Sequence, residues 1–179
     1  MFSEAEILRV IDGEEPPKGW KVRREKKMVL LIGLDSEKAK IWDRFNVLAY
    51  PTKEHIEQFK KAVFGTKPGG PGYRSPCSIG SLRLVALKDN KTLFFNFLQS
   101  HYKTSGIHSL PRALHTKYAG WRERAIEEAV DYAKNHGQKI IFSLVDSQQP
   151  KKDYLEFRKA CVKLKLNPKE ILTMSYVEP

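Results

Sequence analysis

The sequence predicts a mixed α/β fold in which a mainly antiparallel central sheet is flanked by helices. Apolar residues recur at three- and four-residue steps in some segments and form short continuous or alternating runs in others, which indicates helices and strands in one chain. The 179 residues, 41% of them apolar, can bury a core without disulfides or metals. We therefore expect one domain over residues 1–179, in which a short helix at 3–13 could be an appendage.

The first predicted helix and strand lie near the start of the chain. Ser3 and Glu6 have the spacing of a capping box, so a helix should begin there and end near Gly13. The continuous apolar run Met28–Ile32 is typical of a buried strand. Six basic residues between positions 18 and 27 precede this strand and predict a strongly cationic surface beside it.

Two further helices are predicted before the middle of the chain. Asp35 or Ser36 can cap a helix that runs to Leu48, with Phe45 on its apolar side. Thr52 then begins another helix, because apolar residues follow it at three- and four-residue steps. These assignments predict one strand followed by two helices in this part of the chain.

The second half is predicted to contain a hairpin and then alternating helices and strands. Gly137 is the expected end of the helix with the clearest periodicity. The expected order is a glycine-rich loop at 65–74, hairpin strands at 81–87 and 92–98, a long connection at 99–119, a helix at 120–137, a strand at 139–145, a helix at 152–166 and a strand at 171–177.

The charge of the chain predicts a polyanionic partner. Its formal net charge is +11 and its pI is about 9.6, and such an excess of Lys and Arg raises the local concentration of anions. Coenzyme phosphates, nucleic acid and acidic proteins all fit this description. A generally basic surface without a specific ligand is the alternative.

The sequence also suggests where the protein works. No apolar run approaches the length of a membrane span, and the first residues lack the basic flank of a signal peptide. Cys77 and Cys161 lie far apart and form no metal or redox motif, which favours reduced thiols. We therefore expect a cytoplasmic protein, in a cell or in an infected host, that does not use a membrane.

The start of the helix at Gly120 is a candidate anion site. Backbone N–H groups and the helix dipole attract anions at a helix N-terminus. Lys117, Arg122 and Arg124 would add charge there. Tyr118 and Trp121 could cover an aromatic or extended part of the ligand. In the alternative interpretation, Trp121 fastens the helix to the core and the cations are solvated.

The run Lys117–Ala129, followed by Tyr132–Ile140, resembles the central segment of GNAT acyltransferases. In that family a strand ends in a phosphate-binding turn, and a helix, a glycine stop, a strand, a last helix and a last strand follow. The resemblance implies a GNAT-like fold in which acetyl-CoA or another acyl-CoA places its pyrophosphate at the helix start. The cofactor-binding residues implied are Lys117, Tyr118, Gly120, Trp121, Arg122 and Arg124.

The resemblance also implies N-acyl transfer, in which an amine attacks a thioester. This reaction needs a base and a donor for the oxyanion. His101, at a strand end, is the candidate base, and backbone N–H groups at the end of the 92–98 strand are candidate donors. The last helix of the family commonly carries a Tyr that protonates the thiolate. The corresponding stretch 160–162 has none, which leaves Tyr154, earlier in that helix, as the candidate.

A metal site is not expected. His101, His108 and His115 recur at equal spacing, which is the only pattern that would suggest one. Gly106 and Pro111 interrupt the segment, so we do not expect the three imidazoles to align on a regular helix. No Cys or acidic residue joins them to complete a ligand set.

The rival hypothesis is a non-catalytic basic module that binds nucleic acid or an acidic protein. The basic segments 18–27 and 151–169 could form a groove with stacking aromatic residues. The tract Asn96–Tyr102 is similar to a segment in domains of large phage and mobile-element proteins, which would place the chain in that context. The sequence carries no zinc-finger, RNP-type or GXXG signature.

Overall fold

The computed structural model describes residues 3–36, 41–64, 78–87, 92–100, 116–144 and 148–176. A seven-stranded sheet runs through them with its strands in chain order. The strands are β1 Trp20–Arg24, β2 Met28–Ser36, β3 Trp42–Pro51, β4 Gly80–Leu87, β5 Thr92–Ser100, β6 Lys139–Leu144 and β7 Leu172–Tyr176. The helices are α1 Glu4–Asp12, α2 Lys53–Phe64, α3 Trp121–Asn135, α4 Gln148–Lys163 and α5 Pro168–Ile171.

The sheet is mixed and mainly antiparallel. Strands β1 to β5 pair antiparallel with their neighbours, whereas β5, β6 and β7 pair parallel. Parallel neighbours need crossover connections, and α3 and α4 lie in the two crossovers from β5 to β6 and from β6 to β7. The expected mixed α/β fold with helices flanking a mainly antiparallel sheet is therefore confirmed.

The two faces of the sheet carry separate hydrophobic clusters. The larger cluster joins α3 and α4 to alternate residues of the strands, such as Leu30, Val47, Leu82 and Ile140. We call this side the helical face. The smaller cluster joins α1 to the opposite side of β2 and β3, through residues such as Leu31. Successive side chains of a strand point to opposite faces, so each strand contributes to both sides.

Helix α1 begins and ends where the sequence predicts. Ser3 and Glu6 form a capping box, in which each side chain bonds the other residue's backbone N–H. Gly13 ends the helix with φ of 123°, a conformation that glycine adopts most readily. Arg24 of β1 donates to the carbonyls of Val10 and Ile11 at 2.6 and 3.1 Å, so the last turn of α1 is fastened to the sheet.

The predicted helix from Asp35 to Leu48 is wrong. Strand β2 continues to Ser36, and Trp42–Pro51 forms β3, paired with β2 on one side and β4 on the other. Phe45 and Leu48 are three residues apart, as on a helix, but Phe45, Val47 and Ala49 also alternate, as in a strand. The segment forms a strand because it pairs with β2 on one side and β4 on the other. The local pattern of apolar residues contains no information about that pairing.

The other described elements agree with the sequence more closely. The helix from Thr52, the hairpin, and the order helix, strand, helix, strand after Gly120 are all present. Trp20–Arg24, left unassigned from the sequence, is the edge strand β1, and a short helix precedes β7. The glycine-rich loop predicted at 65–74 lies outside the described residues. None of the helices in the described ranges is long and apolar enough to cross a bilayer.

Candidate functional site

The sheet opens between parallel strands β5 and β6. Strands β5 and β6 pair only from Thr92 to Phe94 on the β5 side, although β5 continues to Ser100 and β6 to Leu144. On its other edge, β5 contains a bulge, because Phe95 pairs with Leu84 and Phe97 with Arg83 while Asn96 has no residue opposite it. Bulges redirect a strand and are frequent beside functional sites.

Arg122, near the start of α3, lies at this opening. Its Nη1 donates to the carbonyl of Leu98, a β5 residue beyond the last pair with β6, at 3.2 Å. Its Nη2 lies 3.2 Å from Asp153 Oδ1 and 3.1 Å from Glu156 Oε2, both on α4. The Asp153 side chain is only 4% exposed. One guanidinium therefore joins a strand and two helices where the sheet divides.

A groove of about 370 Å³ lies between α3 and α4 beside Arg122. Its walls combine cations and carboxylates over a small apolar floor. They are formed by Ala119, Arg122, Glu123, Ile126, Glu156, Lys159, Ala160 and Lys163. This volume lies within the range of small-molecule sites.

The cations of the groove are not equivalent. Lys163 Nζ lies 2.6 Å from Glu123 Oε1 and 2.8 Å from Glu127 Oε1, and these hydrogen bonds raise the pKa of Lys163. Arg122 is held by two carboxylates, as described above. Lys159 is exposed and makes no ion pair with any other residue in the described ranges. Lys159 is therefore the cation most available to an anionic ligand.

Two aromatic residues predicted to cover a ligand are buried. Trp121 is 1% exposed and its ring fits against Gly80 of β4, where a Cβ would lie 2.5 Å from Trp121 Cη2. Tyr118 is also 1% exposed and packs edge-on against Phe59 of α2. Burial raises the pKa of Tyr118 to about 12. These contacts correspond to the alternative interpretation, in which Trp121 fastens the helix to the core.

The other predicted phosphate-binding residues lie around the helix start without lining the groove. Arg124 faces carboxylates, with Nη1 3.2 Å from Glu127 Oε2 and Nε 3.6 Å from Glu25 Oε1. Lys117 Nζ lies 3.4 Å from Gln58 Oε1. Gly120 is exposed and adopts helical angles, φ −77° and ψ −7°, without a side-chain cap. Of the six predicted residues, Arg122 alone lines the groove.

Of the two predicted catalytic residues, Tyr154 lies within the described ranges and His101 lies outside them. Tyr154 on α4 is half-buried, and its ring packs edge-on against Phe142 with centroids 5.5 Å apart. It is not among the residues that line the groove. His101, His108 and His115 lie outside the described residues. Among the described residues, no three His, Cys, Asp or Glu side chains form a group that could hold a metal ion.

Part of the basic segment 18–27 is also neutralised. Lys21 Nζ lies 2.6 Å from Glu128 Oε2, and Arg23 Nη1 lies 3.0 Å from Glu128 Oε1. Both cations extend from β1 to α3. They therefore stabilise the packing of α3 on the edge of the sheet, while Lys26 and Lys27 remain exposed.

Sequence reasoning missed the charged residues that α4 contributes to the groove. Asp153, Glu156, Lys159 and Lys163 lie within three helical turns, and their spacing is visible in the sequence. The same spacing is typical of an exposed charged face. Only the packing of α4 beside α3 shows that Arg122 lies opposite them.

Comparison with known proteins gives no relative. No protein-family model, curated protein or solved structure matches this chain.

Proposed function

We propose that this chain is a divergent GNAT-like protein that binds acyl-CoA in the groove between α3 and α4. The observation that carries the proposal is the position of that groove. It lies at the start of the helix that follows β5, beside the place where parallel strands β5 and β6 stop pairing. The order from β5 to β7 is also the order that the resemblance implies.

The charges of the groove suit a phosphate-bearing ligand held at one end. Lys159 is available for a phosphate group, and Arg122 presents a guanidinium whose position is set by Asp153 and Glu156. Glu123 and Glu156 weaken the attraction, so the ligand must displace or share the contacts of Lys163 with Glu123. A volume of about 370 Å³ accommodates part of a coenzyme, with the remainder extending along the protein surface.

The opening between β5 and β6 is the proposed place for the thioester. Past Phe94, the edge of β5 no longer pairs with β6, so its backbone groups can face a ligand. A backbone N–H there would stabilise the oxyanion that forms when an amine attacks the carbonyl carbon. His101 follows β5 directly in the sequence and remains the proposed base. The C–S bond of the thioester then breaks, the acyl group remains on the amine as an amide, and CoA leaves as a thiol that takes up the proton which His101 removed from the amine.

Ligand-dependent thermal unfolding tests the proposal. Acetyl-CoA should raise the unfolding temperature in proportion to the logarithm of its concentration, because it binds the folded state. Lys159→Glu should raise the Kd for acetyl-CoA by about tenfold or more, because one charged contact is replaced by repulsion. The rise in unfolding temperature at a given acetyl-CoA concentration should therefore be smaller. Lys152→Glu is the matched control, since Lys152 is exposed on the same helix but outside the groove.

Three results would contradict the proposal. The first is that acetyl-CoA at millimolar concentration does not change the unfolding temperature. The second is that ATP, with similar charge, produces the same shift. The third is that Lys159→Glu and Lys152→Glu weaken the effect equally, which would indicate attraction by net charge without a site.

A further inference from the structure

The face of the sheet opposite α3 and α4 carries a patch of aromatic and arginine side chains. In the register of the sheet, Val85 lies opposite Phe94, and Arg83 opposite Phe97. Their neighbours along each strand, such as Leu84 and Leu93, belong to the core of the helical face. Alternation along the strands therefore places these four residues on the other side. We call Arg83, Val85, Phe94 and Phe97 the aromatic–arginine patch.

This patch is accessible within the part of the chain that the structure describes. Phe94 is 37% exposed, and Arg83, Val85 and Phe97 are partly exposed. Neither hydrophobic cluster includes any of them. The cluster beneath α1 involves β1, β2 and β3, so α1 covers the other end of this face.

The guanidinium of Arg83 lies over an aromatic ring. Its guanidinium carbon lies 4.9 Å from the ring centroid of Phe97, which is the geometry of a cation–π contact. Its Nε donates to Asn46 Oδ1 at 2.9 Å, and Asn46 Nδ2 in turn donates to the carbonyl of Arg44 at 3.1 Å. Asn46 is buried and holds the guanidinium through Nε, and Nη1 and Nη2 have no hydrogen-bond partner among the described residues.

The electrostatics of the patch favour an anion. Burial lowers the pKa of Arg83, the charge of Arg44 lowers it further, and Asp35 partly offsets both. Arg83 keeps its charge at neutral pH, and an anion beside it would offset the cost of burying that charge next to Arg44. Lys139 lies at the start of β6 on the same face and is exposed. A phosphate group at Arg83 would also be attracted by Arg44, whereas Lys139 pairs with Thr92 at the other end of β5 and would contact a different phosphate of the strand.

We propose that the aromatic–arginine patch binds single-stranded nucleic acid. Bases would stack on the exposed ring of Phe94 and on the plane formed by Arg83 and Phe97, while phosphates contact the guanidinium groups and Lys139. Stacking on aromatic side chains beside a cationic surface is the usual way in which proteins hold single strands. In a duplex the faces of the bases are stacked on one another, so a duplex could contact only the cations of the patch. The patch is separate from the α3–α4 groove, so this proposal does not depend on acyl-CoA binding.

Fluorescence anisotropy with a labelled oligothymidylate of about 12 nucleotides tests the proposal, since surfaces of this kind span about 4–16 nucleotides. Phe94→Ala and Arg83→Lys should each weaken binding by about fivefold or more, because stacking contributes about 1–3 kcal/mol per base. Arg83→Lys keeps the charge and removes the planar group, so it separates stacking from attraction by charge.

Matched controls lie on α4. Leu155 is 51% exposed and Arg158 is exposed, so Leu155→Ala and Arg158→Lys repeat the two chemical changes away from the patch. Each control should change affinity by less than about twofold. Failure of the wild-type chain to bind the single strand would overturn the proposal. So would equal affinity for the matching duplex, or equal weakening by all four substitutions. Thermal unfolding of every variant checks that it is folded.

Discussion

The packing of Trp121 against Gly80 gives the sharpest prediction for stability. Gly80 lies in β4 between Ala49 of β3 and Ser100 of β5. A Cβ at this position would lie 2.5 Å from Trp121 Cη2 and 2.8 Å from the carbonyl oxygen of Gln99. Ordinary contacts of a Cβ are about 3.4–4 Å, so Gly80→Ala requires a displacement of nearly 1 Å. Both obstacles are held in place, one in the core and one in a paired strand.

The size of the effect follows from the rigidity of these obstacles. Overpacking of a well-filled core costs about 1–3 kcal/mol, and the upper end applies because the Trp121 ring is 1% exposed and surrounded by core residues. We expect Gly80→Ala to lower the free energy of unfolding by about 3 kcal/mol. For a chain of this size that corresponds to a fall in Tm of about 6–12 °C.

A double-mutant cycle separates the clash from other effects of the substitution. Trp121→Phe removes the outer ring atoms, so Gly80→Ala in that background should cost about 1 kcal/mol, with a coupling of about 2 kcal/mol. Urea unfolding followed by circular dichroism measures all four free energies. Gly120→Ala is the control, because its Cβ would meet only Met28 Cε at 3.9 Å. Additive effects of Gly80→Ala and Trp121→Phe would refute the packing argument.

Three further predictions concern single buried or charged groups. Tyr118→Phe should leave the free energy of unfolding unchanged or raise it by about 1 kcal/mol, because the buried hydroxyl has no hydrogen-bond partner among the described residues. The raised pKa of Tyr118 also predicts that wild-type stability falls between about pH 10 and pH 12. Tyr118→Phe should reduce that fall without abolishing it, because burial also raises the pKa of Tyr50 to about 12. Arg24→Ala should speed hydrogen exchange in α1 selectively, since it removes two charge-assisted hydrogen bonds to the last turn, and equal acceleration throughout the sheet would contradict this. Burial raises the pKa of Glu127, but hydrogen bonds from Lys163 and Arg124 outweigh burial, so the pKa is lowered overall. Glu127→Gln should therefore destabilise the protein at pH 7, and the difference in the free energy of unfolding should diminish as the pH falls below about 4.5. A difference that stays constant down to pH 2 would contradict this assignment.

Several elements could be predicted from the sequence because their determinants are local. The capping box of Ser3 and Glu6, the stop at Gly13 and the periodicity of the helix that begins at Trp121 all act within a few residues. The β4–β5 hairpin is similar, since its strands are separated by a short polar turn. In contrast, β3 was predicted as a helix because its character depends on β2 and β4, which lie elsewhere in the chain.

The sequence by itself determined the basic character of the protein, its mixed fold and the presence of cations near the start of α3. Tertiary structure decided which of those cations can meet a ligand. Arg122 and Arg124 face carboxylates brought from α4, from α3 and from the turn after β1, whereas Lys159 makes no such pair in the described ranges. Tertiary structure also placed Arg83 on Phe97, two residues from different strands. Charge and aromaticity belong to single residues and can be read along the chain, but neutralisation, burial and stacking belong to pairs, which form only when distant segments pack together.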